Sequence, residues 1–324
     1  MGLKNIINST LASAVMCAAA PAYSNECMPI FAEKSLESMP EPRVEIPVLE
    51  VKYKGYWLTE EEYGRMQGYL SGGQLDDSDV KAYLGFTALM RHRELIDFVA
   101  RHYEVDSKMM LKVINQESTF QISTSGHFKE RGLGHNREST ARMLVSRMTD
   151  PDDALYYPFL SKGDYSFRKL SRDYRLNVLL VAAMIKVTDS ELDAVLSERG
   201  LVREDMACRI KEFGVTTSLR RLRNSRKFKF YKVSHKSRKL VNDYWAEHDA
   251  DVSDLMYLVY NGGNKAVSEI FNDSIVSEVL LYNFTVYNKK KHLVDRFISL
   301  YDGHADGHGA VHPEDLEKIV LPEE

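Results

Sequence analysis

From Asp79 onward, apolar residues recur at helical spacing and hardly ever alternate. A period near 3.6 lays such residues along one stripe, which is stable only when buried against other helices. Leu84, Phe86, Leu89, Leu95, Ile96, Phe98 and Val99 keep this spacing. The stretches "DSKMMLKVINQESTF", "RLNVLLVAAMIKV" and "DSELDAVLSERG" continue it. Strand signals are few, so the expected fold class is mainly α. The punctuation agrees. Thr59 followed by Glu60, Glu61 and Glu62 reads as a helix N-cap with an acidic first turn, and "SGGQ" ends that helix. Asp106 or Ser107 caps the next-but-one segment. Asp189 or Ser190 is the expected cap of a later helix closed by Gly200. "DVSDLMYLVYNGGNKAVSEIF" reads as a helix that breaks at its glycines and resumes.

The chain has 324 residues, enough for one large domain or two modest ones. Its net charge of −4 argues against nucleic acid as the main partner. Residues 1–24 carry a lone Lys4, an Ala-rich apolar run and small residues up to Ser24, the layout of a secretory signal peptide cleaved after Ala20, Ala22 or Ser24. That run is too short and too interrupted to be a transmembrane helix, and no other run is long enough. The expected destination is therefore the periplasm or cell envelope, by Sec-type export. Cys17 follows Met16 rather than the small residue that lipid attachment needs. Removal of the leader leaves Cys27 and Cys208, which are either one disulfide or two thiols.

Residues 25–87 form an N-terminal extension that begins with a Pro-rich, aperiodic lead-in. Arg209 to Lys239 is strongly basic, with Glu212 its one acidic residue. It is either a solvated face or a contact for an anionic surface. The tail, 301–324, spaces His304, His308 and His312 evenly among Asp and Gly, and its glycine content favours flexibility over a metal site.

One residue departs from the helical pattern. In "VINQESTFQ", Glu117 falls on the side occupied by Met110, Val113 and Ile114, with Phe120 following. Apolar neighbours desolvate a carboxylate and raise its pKa, and a carboxylic acid kept protonated is what a general acid requires. Taken alone, a Glu near a helix end more often reaches solvent or pairs with a Lys.

The order of short motifs gives Glu117 its context. "ESTF" (Glu117 to Phe120) is followed by "GLGH" (Gly132 to His135), then Thr140-Ala141, and much later "YNGG" (Tyr260 to Gly263) with Val267 beyond. This series resembles the soluble lytic transglycosylase family, which reads Glu-Ser-x-Phe, Gly-Leu-Met-Gln, Pro-x-Thr-Ala and Ala-Tyr-Asn-Ala-Gly. Departures are Gly134 for Met, His135 for Gln, Glu138 for Pro, Val259 for Ala and Gly262 for Ala.

The resemblance covers roughly residues 88–300, with an unmatched insertion of about 142–250. It implies a lysozyme-like helical domain and cleavage of the bond between N-acetylmuramic acid and N-acetylglucosamine in peptidoglycan, with formation of a 1,6-anhydro ring and without metal or cofactor. It further implies Glu117 as the catalytic acid. Ser118, Gly132, Leu133, His135, Tyr260 and Asn261 then line the substrate, with the Tyr260 hydroxyl approaching Glu117. Asn177 is a weaker correspondence. Two alternatives stand beside this reading. One is a lysozyme-type hydrolase with a second carboxylate, for which Glu130, Glu138 and Asp150 are candidates. The other is a non-catalytic wall-binding part of an envelope or secretion machine.

Overall fold

The computed structural model describes residues 41–42, 51–123, 129–216, 233–263, 265–272 and 275–303. The chain is mainly α-helical over these residues. A short hairpin comes first, β1 (Val51–Tyr53) antiparallel to β2 (Tyr56–Leu58), with Lys52 opposite Trp57. Lys54 and Gly55 both take positive φ at its tip, the left-handed pair that a two-residue turn needs.

The helices are α1 (Glu60–Ser71), α2 (Val80–Met90), α3 (Arg93–Tyr103), α4 (Ser107–Ser118), α5 (Glu138–Met148), α6 (Tyr174–Glu198), α7 (Arg203–Thr216), α8 (His235–Glu247), α9 (Met256–Gly262), α10 (Lys265–Phe271) and α11 (Ile275–Asp302). Several start signals hold. The Thr59 hydroxyl accepts from Glu62 N while Glu62 accepts from Thr59 N, which is a complete capping box. Asp106, not Ser107, caps α4. Gly263 takes positive φ between α9 and α10, where the helix was expected to break.

Other expectations need correction. α6 runs unbroken for 25 residues through Asp189 and Ser190. Ser190 bonds back to Lys186 O, and Asp189 pairs with Arg203, so neither starts a helix. The boundary expected between 87 and 88 falls inside α2, whose inner face is buried. The expected insertion of 142–250 contains the long helix α6. Leu176 to Ala183 of α6 are all buried, and α6 packs on α3, α4, α5 and α9. A chain cannot omit that helix and keep its core, so at least this part of the stretch is integral.

The other long helix, α11, packs on α2, α4, α8, α9 and α10. Lys291 on α11 is buried and pairs with Asp254 at 2.5 Å and with the more exposed Asp251 at 2.6 Å. Burial works against both charges of the second pair. The hydrogen bonds outweigh it, holding Lys291 above its ordinary value and Asp251 well below the carboxylate range.

No helix among the described residues is long and apolar enough to cross a membrane. The leader, Cys27, residues 217–232 of the basic region and the histidine-bearing tail lie outside the described residues. Cys208 is exposed on α7. At the described ends of the basic region, Lys211 pairs with Asp249, Arg238 with Glu278 and Lys239 with Asp243.

Candidate functional site

Glu117 occupies the last turn of α4. Met110, Val113 and Ile114 on the same helix are fully buried, so its stem leaves an apolar floor. Directly after Ser118 the chain reverses through two consecutive non-glycine residues with positive φ, Thr119 and Phe120. Such conformations cost of order 1–3 kcal/mol each and persist only where surroundings enforce them. Here the enforcing element is the Phe120 ring, fully buried against Phe86 at 5.5 Å and near Phe297 at 6.4 Å. Gly85 of α2 admits this approach. A Cβ there would lie 2.8 Å from both Phe120 Cβ and the Phe120 carbonyl.

The Glu117 side chain is 12% exposed. Its Oε1 accepts a hydrogen bond from the Tyr257 hydroxyl at 2.7 Å and a longer one from Asn261 Nδ2 at 3.4 Å. Burial pushes the Glu117 carboxyl above the ordinary carboxylate range. The hydrogen bonds from Tyr257 and Asn261 restrain that rise, and the nearby Glu130 charge adds to it. The arrangement can therefore release a proton to a bound oxygen and take one back.

Tyr257, fully buried on α9, is the hydroxyl that reaches Glu117; the expectation had given that contact to Tyr260, one turn later. The two rings stack at 6.3 Å on one face of α9. Tyr260 instead donates to the Gly134 carbonyl at 3.1 Å, yet the Glu117 charge still acts on it and, after burial, raises its pKa. Residues 257 and 260 are three apart, so either tyrosine satisfies the same helical face, and their packing decides which one meets Glu117. Tyr257 is backed by Tyr287 of α11, stacked at 4.3 Å and 8°. Tyr287 in turn donates to Asp254, which binds Lys291.

Gly132 to His135 form the tip of a small hairpin closed by backbone bonds between Arg131 and Asn136, both at 3.0 Å. Leu133 is buried, and its N–H donates to Asn177 Oδ1 at 2.7 Å. Asn177, fully buried on α6, also donates to the Leu170 and Asp173 carbonyls, so one amide fixes the hairpin to α6. Gly132 has φ +76°, and a Cβ on it would sit 1.9 Å from Asn177 Oδ1. A Cβ on Gly134 would sit 2.6 Å from the Tyr260 hydroxyl. Close approach calls for glycine at both positions, and φ calls for it at Gly132 as well.

His135, with φ +46°, brings Nδ1 to 3.8 Å from Glu117 Oε2. Burial lowers its pKa, against the pull of Glu130, which favours the uncharged ring.

The remaining expected residues divide. Asn261 is exposed beside Glu117 and accepts from Asn283 Nδ2 at 2.7 Å, which orients its amide toward the carboxylate. Ser118 is buried and bonds back to Ile114 O, so its hydroxyl serves the helix end. Of the second-carboxylate candidates, Glu130 is electrostatically coupled to Glu117 and His135 and pairs with Arg137 at 3.3 Å. Glu138 pairs with Arg142 on the exposed side of α5, and Asp150 accepts from backbone N–H in a turn. Tyr257 and Asn283 went unnoticed in the sequence. A second tyrosine at i−3 from Tyr260 is a signal for the first; Asn283 has none.

Two open clefts neighbour these elements. One, of about 790 Å³, is lined by Lys129, Arg131 and the Tyr165–Arg168 stretch. The other, of about 1280 Å³, lies between the β-hairpin and the start of α6. Glu117 lines neither, and its claim rests on hydrogen bonding and burial rather than on cleft size. Among the described residues no cluster of three or more His, Cys, Asp or Glu could hold a metal ion. No protein-family model matches the chain, and no curated protein or solved structure matches it, so the site is read from its own residues and geometry.

Proposed function

We propose that the chain is an exported peptidoglycan lytic transglycosylase with a lysozyme-like domain, acting in the periplasm or cell envelope. The observation that carries this reading is the buried, protonation-prone Glu117, held by Tyr257 and faced by the glycine hairpin of "GLGH". Protonated Glu117 gives its proton to the glycosidic oxygen, and the bond from C1 of the muramic residue to that oxygen breaks. The substrate's own N-acetyl group stabilises the cationic C1. The 6-hydroxyl then attacks C1, and its proton returns to the Glu117 carboxylate. One C–O bond breaks, one forms, and no water is consumed. No step calls for a metal or cofactor.

Within this reading Tyr257 holds the carboxylate and favours its charged form, Tyr260 holds the Gly134 backbone against the sugar, and Asn261 orients Glu117. His135, at the edge of the site, offers in its uncharged form one hydrogen-bond donor where the family has Gln. Tyr257→Phe keeps the stack on Tyr287 but removes a hydrogen bond that stabilises ionised Glu117. The rate should fall by about tenfold, the value of one charged hydrogen bond. The alkaline limb of the pH–rate profile should also move to higher pH, because the acid stays protonated longer. An unmoved limb would separate Tyr257 from the chemistry.

A second reading, a lysozyme-type hydrolase, is favoured by one observation: the Glu130 charge acts on Glu117, as a second carboxylate would. Digestion of purified sacculi distinguishes the two. The expected products are 1,6-anhydro-muropeptides. Reducing ends would establish the hydrolase, and binding without release would establish a wall-binding component.

A further inference from the structure

The larger cleft, of about 1280 Å³, is walled by the β1–β2 hairpin, the α2–α3 turn, residues Gln121 to Ser123 and the stretch Lys169 to Arg175. Small-ligand pockets run to about 1,000 Å³, so this one has room for several sugar rings. Its hairpin belongs to the N-terminal extension, which the motif series leaves without a role.

The walls carry six cations, Lys54, Lys81, Arg91, Lys169, Arg172 and Arg175, against two carboxylates, Glu41 and Asp173. This excess of positive charge sits on a chain of net charge −4. Part of it is spoken for. Arg91 pairs with Glu62, Arg175 pairs with Glu41, and Lys169 donates to the Asp164 carbonyl. Lys54 lies over the Tyr53 ring at 5.5 Å. Lys81 and Arg172 are exposed, and neither has a carboxylate partner among the described residues.

Aromatic surface accompanies these charges. Trp57 lines the cleft and is 51% exposed, the one aromatic among the large exposed hydrophobic side chains described. Tyr56 lies beside it. His92 and Tyr174, which also line the cleft, stack at 4.7 Å, and His92 Nδ1 is buried without a hydrogen-bond partner. Exposed indole suits the apolar face of a sugar ring, and cations suit carboxylates.

We propose that this cleft is a second binding site, taking a carboxylate-bearing oligosaccharide or glycopeptide. The wall chemistry favours such a ligand over nucleic acid. Of the six cations only the side chains of Lys81 and Arg172 have no ion pair, hydrogen bond or ring contact among the described residues, too few to follow a run of closely spaced phosphates but enough for the more widely spaced carboxylates of a stem-bearing glycan. Neutral groups on Gln121, Ser123 and Tyr56 match hydroxyls. Gln121 follows Glu117 by four residues, so the cleft begins just past the reversal at Thr119 and Phe120 that ends the helix carrying the proposed acid. On the peptidoglycan reading, on which the ligand's identity rests, the stem-peptide carboxylates of the wall strand are the groups held here.

The chain contains two tryptophans, and the second, Trp245, is fully buried and donates to Thr285. Trp57 fluorescence therefore reports on the cleft. The probe is the full chain carrying Glu117→Gln, titrated with soluble stem-bearing glycan fragments, with neutral chitooligosaccharide and with a single-stranded oligonucleotide. Stem-bearing fragments should give a saturable change that Trp57→Phe abolishes and that weakens at high ionic strength. Combined Lys81→Glu and Arg172→Glu should weaken binding by at least about tenfold, since like charges then face the ligand. Both side chains are exposed, and Lys81→Gln with Arg172→Gln repeats the test with a milder change. Equal binding of the neutral sugar, tighter binding of the oligonucleotide, no saturable signal, or charge variants that bind unchanged would each overturn the proposal. Wild-type product analysis is read separately. Binding without anhydro products sinks the transglycosylase reading and leaves the cleft standing, while anhydro products without binding sink the cleft alone.

Discussion

Glu117→Gln is expected to lower release of anhydro-muropeptides by about a thousandfold or more, within the range for removing a general acid. Gln keeps the volume and can still accept from the Tyr257 hydroxyl, but it carries no proton to give. The same variant should be more stable than wild type at neutral pH. The sign follows from linkage. Burial raises the Glu117 pKa in the folded state, so the folded chain binds that proton more tightly than the unfolded chain does. The stability this provides is fully present below the ordinary carboxylate range and is lost as pH rises through the folded value. Neutral pH lies above the unfolded value, so wild type has given up at least part of it there, and Gln has nothing to lose. Chemical denaturation at neutral and acid pH, beside a sacculus assay, reads both effects. The difference in stability should close in acid. A fully active variant, or one less stable at neutral pH, would remove Glu117 from its proposed role.

Lys291→Ala should cost about 3–5 kcal/mol, the range for removing one partner of a buried ion pair. Asp254 is 3% exposed, and without the ammonium its charge keeps, among the described residues, only the Tyr287 hydroxyl in a low-dielectric site. Lys291→Met, which retains most of the stem, should lose nearly as much, because the missing charge outweighs the missing volume. The pH window is set by the shifts of the pair. Lys291 is raised, so its contribution disappears as pH climbs through its folded value. Asp251 is lowered, so its contribution is present above the ordinary carboxylate range and lost as pH falls through the folded one. The gap between wild type and variant is therefore widest near neutrality. A loss below about 1 kcal/mol in urea titration at pH 7, the value of an exposed pair, would show that the pair is solvated.

Both predictions concern one structural unit. Lys291 anchors Asp254, Asp254 anchors Tyr287, and Tyr287 backs the ring whose hydroxyl holds Glu117. A buried polar relay of this kind is stable only when every member is satisfied. It ties the neighbouring helices α9 and α11 to the end of α4, which lies far earlier in the chain.

The helical class was written in the spacing of Leu84 to Val99, and the starts of α1 and α4 were written in Thr59 and Asp106. These are local properties: a 3.6-residue period and cap bonds spanning two or three residues need no distant partner. The placement of Glu117 on an apolar face was legible for the same reason. What lay beyond the sequence was each choice made by contacts between remote segments. Periodicity puts Tyr257 and Tyr260 on one face, but only the packing of α9 against α4 and α11 gives the carboxylate to Tyr257 and the Gly134 carbonyl to Tyr260. Gly132 could be flagged as a turn residue, but its need to be glycine comes from Asn177, forty-five positions away on a helix expected to lie in an insertion. Side-chain period and caps are set within one turn of chain. Which side chain fills which space is set by the whole core, and no short stretch contains that information.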